Sequence, residues 1–136
     1  MIDPVVDALN QSLSPCVHTL GGRVTNFNSE DGETIMCFEA IPAFCHSEII
    51  VQGGYLTGML DAAMALSVIG LKGVGTAVPT LELKVSFISP GNPGVFLATA
   101  RPVHLGKSTA FLGAELHQEG RLVATATSTA KYFIRS

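Results

Sequence analysis

An α+β fold, with a curved antiparallel sheet of five or six strands wrapped around one long central helix, is what this sequence predicts. The segment Gly53–Leu71 reads GGYLTGMLDAAMALSVIGL, apolar nearly all round, and such a helix must be enclosed by something. Beyond it, apolar and polar residues alternate with period two almost to the end, broken by clusters of turn residues. The chain has 136 residues, 47% hydrophobic and 14% charged, which fits one domain (residues 1–136) with a real core. A sheet folded around the helix satisfies all three observations.

The elements follow in order. Asp3 is placed to cap a short N-terminal helix with Pro4 at its first position, and Val5, Val6, Leu9 and Leu13 recur at helical spacing. Ser14-Pro15 is expected to close it. Two strand-like runs, Arg23–Asn28 and Glu33–Ala40, flank Ser29-Glu30-Asp31-Gly32, a hairpin signal. Ile41–Val51 reads as an irregular connection to the central helix, and Lys72–Thr76 as a loop leaving it. In the next strand Thr80, Glu82, Lys84 and Ser86 are expected on one face, and Leu81, Leu83, Val85 and Phe87 on the other. Ser89–Gly94 is a turn by composition. Val95–His104, Lys107–His117 and Arg121–Ile134 complete the sheet, with Glu119-Gly120 as a hairpin turn and Pro102 marking a bulge or strand end.

Composition narrows the function. A net charge of −3 without a basic run argues against nucleic acid. The high mean hydropathy of +0.40 suggests surface buried against another subunit. Cys16, Cys37 and Cys45 are odd in number and lack metal-ligand spacing, so reduced thiols in a cytoplasm and no metal are expected. The start of the chain has no basic region typical of a signal peptide. Gly53–Leu71 is long enough to cross a bilayer, but Asp61 at its centre would cost about 2.5–3.5 kcal/mol there, so a core helix without membrane insertion is the reading.

Asp61 is the only charge in that segment, and a carboxylate among Leu, Met and Ala must find partners or a task. Gln52-Gly53-Gly54 stands where the helix begins. A helix start presents free N–H groups and a positive dipole end, and glycine lets a carbonyl approach closely. An oxyanion site followed by a lone acid points to acyl transfer.

Phe44-Cys45-His46, Val51-Gln52-Gly53-Gly54, Met59-Leu60-Asp61 and Phe87-Ile88-Ser89-Pro90 together resemble the hotdog-fold thioesterases of the phenylacetate-pathway (PaaI-type) branch. The resemblance covers nearly the whole chain. It implies hydrolysis of acyl-CoA thioesters without a cofactor, coenzyme A being part of the substrate, in a homodimer or a dimer of dimers built by pairing sheets. It implies Asp61 as general base or nucleophile, Gly53 as the N–H that polarises the carbonyl, Gln52 at a position that is His or Gln, and Thr80 near a water-orienting Ser/Thr. His46 stands where that family often has Asn.

Gly53 and Asp61 are eight residues apart, about 12 Å along a helix axis, so one thioester carbon does not reach both. The expectation is a site shared between subunits, Gly53 from one facing Asp61 from the other. Gly54, Thr57, Gly58, Asp61 and Ala65 share one stripe that permits close approach. Tyr55, Leu56, Met59 and Phe87 are candidates to line the acyl pocket. Gly106-Lys107-Ser108 is the first candidate for the phosphates of coenzyme A, ahead of Arg101. Bland readings stand beside these: Gln52 as a plain helix cap, His46 as a loop histidine, Thr80 as an ordinary strand residue. Two other functions share the fold, hydration or dehydration of acyl thioesters by His46 with Asp61, and acyl-CoA binding without turnover.

Overall fold

The computed structural model describes residues 3–135, and the outermost residues of the expected domain lie outside that range. A six-stranded antiparallel sheet curves around one long helix, α3 (Gly53–Lys72). Its strands are β1 (Arg23–Phe27), β2 (Thr34–Ala40), β7 (Gly94–Leu105), β8 (Thr109–Gln118), β9 (Arg121–Lys131) and β6 (Thr80–Phe87), and they pair in that spatial order. β1 and β6 are therefore the free edges. This is the hotdog architecture expected from the alternating pattern and the enclosed helix.

The short N-terminal helix α1 (Pro4–Gln11) starts as anticipated, with the Asp3 carboxylate accepting from the Val5 N–H at 2.8 Å. Asn10 docks it on β1, donating to the Val24 carbonyl at 2.9 Å and accepting from the Val24 N–H at 2.8 Å. Ser14-Pro15 does not end the helical region. Pro15 opens a second short helix, α2 (Pro15–Thr19), because proline is tolerated at a first helical position, and Val17 is buried beneath it. The expected irregular stretch before α3 contains a 3₁₀ turn (Pro42–Phe44) and a small hairpin of β3 (Cys45–Ser47) with β4 (Ile50–Val51). Gly73, at φ 111°, ends α3, its N–H closing on the Ile69 carbonyl at 2.7 Å.

The core is α3 against the concave face of the sheet. Met59, Leu60, Ala63, Met64 and Val68 are fully buried there against Met36, Phe38, Phe96, Leu116 and Val123. Ala98, Ala100, Ala110, Ala124 and Ala130 line the same face, and their small side chains leave the space the helix occupies. Gly70 serves the same end, since a Cβ there would lie 2.3 Å from the Phe27 ring.

Two strands depart from regular alternation. β7 slips register between Pro102 and His104, pushing Val103 out to 70% exposure, as the proline suggested. β6 carries a bulge that the alternation did not signal: Thr80 stands opposite Ala130 and Glu82 opposite Thr129, so two steps on β6 match one on β9. Leu81 is the surplus residue and is 58% exposed. The expected polar face is thereby broken. Leu83, Val85 and Phe87 oppose Ser128, Ala126 and Ala124, which face the helix, and Thr80 opposes buried Ala130, joining them. The last strand also ends earlier than expected. At Tyr132 the N–H bonds to the Ser108 carbonyl (2.9 Å), and β10 (Phe133–Ile134) leaves to pair with β5 (Thr76–Ala77).

Candidate active site

The amino end of α3 is fixed from both sides. The Val51 N–H donates to the Gly91 carbonyl and the Gln52 N–H to the Phe44 carbonyl, each at 2.9 Å. Gln52 is the N-cap, its side-chain carbonyl accepting from the Gly54 N–H at 3.0 Å. Gly54 makes this possible, because a Cβ there would sit 2.7 Å from that oxygen. The Tyr55 N–H bonds to the Gln52 carbonyl at 3.0 Å. Among the described residues the Gly53 N–H alone of these three has no partner, so it is the donor available to a ligand. The Phe87 ring covers Gly53, 3.0 Å from where a Cβ would stand.

Gly53 opens onto a cleft lined by His46, Ile50, Phe87 and the Ser89–Gly91 turn. His46 is exposed there, its Nδ1 2.7 Å from the Ser47 hydroxyl. Arg121 braces the turn, donating to the Ser89 hydroxyl at 2.9 Å and to the Pro90 carbonyl. Gln118 holds it from beneath through the N–H (2.9 Å) and carbonyl (2.8 Å) of Asn92.

Asp61 lies elsewhere. It is half-buried in the middle of α3, and the Thr80 hydroxyl donates to its Oδ1 at 2.7 Å. That distance is in the range of a charge-assisted O–H···O⁻ bond. The β6 bulge makes the contact, since it turns Thr80 toward the helix. Asp61 and Thr80 share the wall of a second cleft, between α3 and the N-terminal helices, of about 300 Å³. The five catalytic candidates thus fall into two groups within one chain, Gly53, Gln52 and His46 on one side and Asp61 with Thr80 on the other. Among the described residues no group of three His, Cys, Asp or Glu side chains gathers in a way that could hold a metal ion.

The substrate-binding candidates fare unevenly. Phe87 lines the Gly53 cleft. Tyr55 is half-buried and stacked on Phe44, ring centroids 4.2 Å apart. Met59 is wholly buried in the core and lines neither of these two clefts; α3 is apolar on every side, and its pattern does not tell core from pocket. Gly106-Lys107-Ser108 forms the β7–β8 turn beside Tyr132, whose ring faces Lys72 at 5.6 Å. This is the carboxyl end of α3, about 30 Å along the helix from the same chain's Gly53. Sequence reasoning missed Leu13, Val17 and Leu20, which roof the Asp61 cleft, and Arg121 behind the Ser89–Gly91 turn. Only the turn itself, through its Pro and Gly content, offered a local signal.

Comparison with known proteins identifies the family. Residues 50–125, spanning α3 and most of the sheet, match the family model described as the thioesterase superfamily. A phenylacetic acid degradation-related protein of Ralstonia eutropha JMP134 superposes with a TM-score of 0.82 at 35% identity, over 88% of this chain and 91% of that one. The medium/long-chain acyl-CoA thioesterase YigI of Escherichia coli K12 is 29% identical over 129 residues, 85% of this chain and 83% of the relative. The match to the Salmonella typhimurium protein of the same name, also at 29% identity, spans 61% of this chain and only 63% of that relative's length. With a hotdog sheet, a glycine N–H open at the start of its central helix and a family match across both helix and sheet, the chain belongs to the thioesterase superfamily.

Proposed function

We propose that the protein hydrolyses acyl-CoA thioesters in a site shared by two copies of the chain. The observation that carries this reading is the separation of the Gly53 N–H and the Asp61–Thr80 pair into different clefts, about 12 Å apart along α3. A second copy related by a twofold axis would bring one copy's Gly53 to the other's Asp61, twice per dimer. The free edge of β6 supports such pairing: it ends in exposed Phe87 and Ile88, and an uncovered edge strand is a template for another chain.

In this reading the thioester carbonyl accepts the Gly53 N–H at the positive end of the α3 dipole. Thr80 holds Asp61 Oδ1, leaving Oδ2 to take a proton from water as that water attacks the carbonyl carbon. The tetrahedral oxyanion stays on the Gly53 N–H. It collapses with cleavage of the C–S bond, and the coenzyme A thiolate recovers the proton from Asp61. His46, exposed beside Gly53, is placed to contact the thioester or the departing sulfur. The free thiols Cys16, Cys37 and Cys45 fit a reducing cytoplasmic setting. The name carried by the E. coli relative supports an acyl group of medium or greater length.

The test is free-thiol release from a panel of aliphatic and aromatic acyl-CoAs by wild type and Asp61→Asn. The expected loss in kcat is about 10²–10⁴-fold, the usual worth of a general base. Undiminished release by the variant would refute the role given to Asp61, and tight binding of acyl-CoA by a wild-type protein that releases no thiol would favour a binding protein.

A further inference from the structure

The cleft that contains Asp61 is larger than a base and its water require. Leu13 of α1's outgoing turn and Val17 and Leu20 from the α2 segment form its roof, and one stripe of α3 (Gly58, Asp61, Ala62, Ala65, Leu66, Ile69) forms its floor. The floor residues recur at i, i+3, i+4, i+7, i+8 and i+11, so they face one direction. Small side chains at Gly58, Ala62 and Ala65 leave the space open, and exposed Ser12, Ser14 and Arg135 fringe it. Its polar end is the Asp61–Thr80 pair, and its far end lies near Ile69 and Val74, at the carboxyl end of α3.

We infer that this cleft receives the acyl chain of the substrate, and that it admits a straight saturated chain of about ten carbons, the N-terminal helices setting the limit. The assignment to an acyl chain rests on the thioesterase reading above. Two magnitudes set the size. An apolar cavity of about 150 Å³ accepts benzene, so about 300 Å³ holds a group twice as large. From Asp61 to Ile69 the floor runs about 12 Å, the length of roughly ten carbons in an extended chain at about 1.25 Å advance per bond. In this reading the reacting carbon lies beside Asp61, and among the described residues the apolar space continuous with that carboxylate leads under the N-terminal helices. This places acyl selection on residues distinct from Tyr55 and Met59, which line no part of it.

Binding of hydrolysis-proof thioethers tests the inference apart from turnover. Isothermal titration of wild type should show S-decyl-CoA binding on the order of 100-fold tighter than S-butyl-CoA, within the limit of about fourfold per buried methylene. Ala65 stands one turn below Asp61, about 6 Å into the cleft. Ala65→Phe, and independently Leu13→Trp from the roof, should reduce that preference to about threefold or less, the decyl thioether losing most of the affinity. Circular dichroism identifies a variant that fails to fold, and the other then decides. Equal affinity of wild type for the two thioethers, or a decyl preference untouched by the folded variants, overturns the inference. Thiol release by the same proteins keeps the two ideas apart. Wild type that prefers S-decyl-CoA but hydrolyses nothing sinks the thioesterase reading and leaves the cleft; a decanoyl-to-butyryl kcat/KM ratio indifferent to Ala65→Phe and Leu13→Trp sinks the cleft and leaves the reaction.

Discussion

Thr80→Val isolates the one hydrogen bond that orients the proposed base. The substitution keeps the branched shape and removes only the hydroxyl that donates to Asp61 Oδ1 at 2.7 Å. A hydrogen bond to a charged group is worth about 1.5–3 kcal/mol, but Thr80 is exposed, and solvent competition argues for the low end. At about 1.4 kcal/mol per tenfold in rate, kcat is expected to fall roughly tenfold, with KM little changed because the hydroxyl does not bind the acyl group. Thr80→Ser keeps the donor and should retain most of the activity. In the double variant Asp61→Asn with Thr80→Val, the second change should add almost nothing, since the two act as a unit. Steady-state thiol release on one acyl-CoA reads Thr80→Val, Thr80→Ser, Asp61→Asn and the double variant against wild type. A Thr80→Val enzyme within about twofold of wild type, or Thr80→Ser falling equally far, would refute the orienting role.

Three further outcomes follow from the same geometry. Gly53→Pro removes the proposed oxyanion donor while suiting a first helical position behind the extended Gln52 (φ −65°, ψ 137°), and kcat should fall about 10²–10³-fold. Refolding Gly53→Pro together with Asp61→Asn should restore about a quarter of wild-type activity, because mixed dimers keep one intact shared site; no recovery in a mixture shown by mass spectrometry to contain heterodimers would place each site within one chain. Gly70→Ala, usually worth up to about 1 kcal/mol of added helix stability, should instead destabilise by about 1–3 kcal/mol in urea melts, its Cβ meeting the Phe27 ring at 2.3 Å, whereas Gly58→Ala, 3.4 Å from Leu20, should be tolerated. Asn10→Ala, which loses both bonds to the Val24 backbone, should cost about 1–3 kcal/mol in the same assay.

What the sequence made legible was whatever local chemistry decides. An apolar run with one acid could only be an enclosed helix, Asp3-Pro4 had to start α1, Ser29–Gly32 had to turn, and Pro102 had to disturb β7. Gln52 and Gly54 reveal their capping relation only in three dimensions, where the glycine makes room for the amide. Met59 was misplaced because a helix apolar on all sides carries no phase information, so core and cleft residues look alike. Lys107 sits on the β7–β8 turn by the carboxyl end of α3, a position not legible in the sequence because nothing local ties that turn to either end of the helix. Pro15 opens a helix as readily as it ends one. Thr80 was singled out by family resemblance, while its own strand pattern pointed it the wrong way.

That misreading gives the bulge at Leu81 an evolutionary meaning. Pairing already runs from Thr80–Ala130 directly to Glu82–Thr129, so β9 takes no account of Leu81. Deleting that residue would leave an unbroken ladder in which Thr80 still faces Asp61. A related chain that lacks one residue at this point therefore need not have lost the hydroxyl that bonds Asp61. An alignment that opens a gap at Leu81 would be tracing a loss the strand can absorb, and one that refuses the gap would set the wrong residue opposite Asp61.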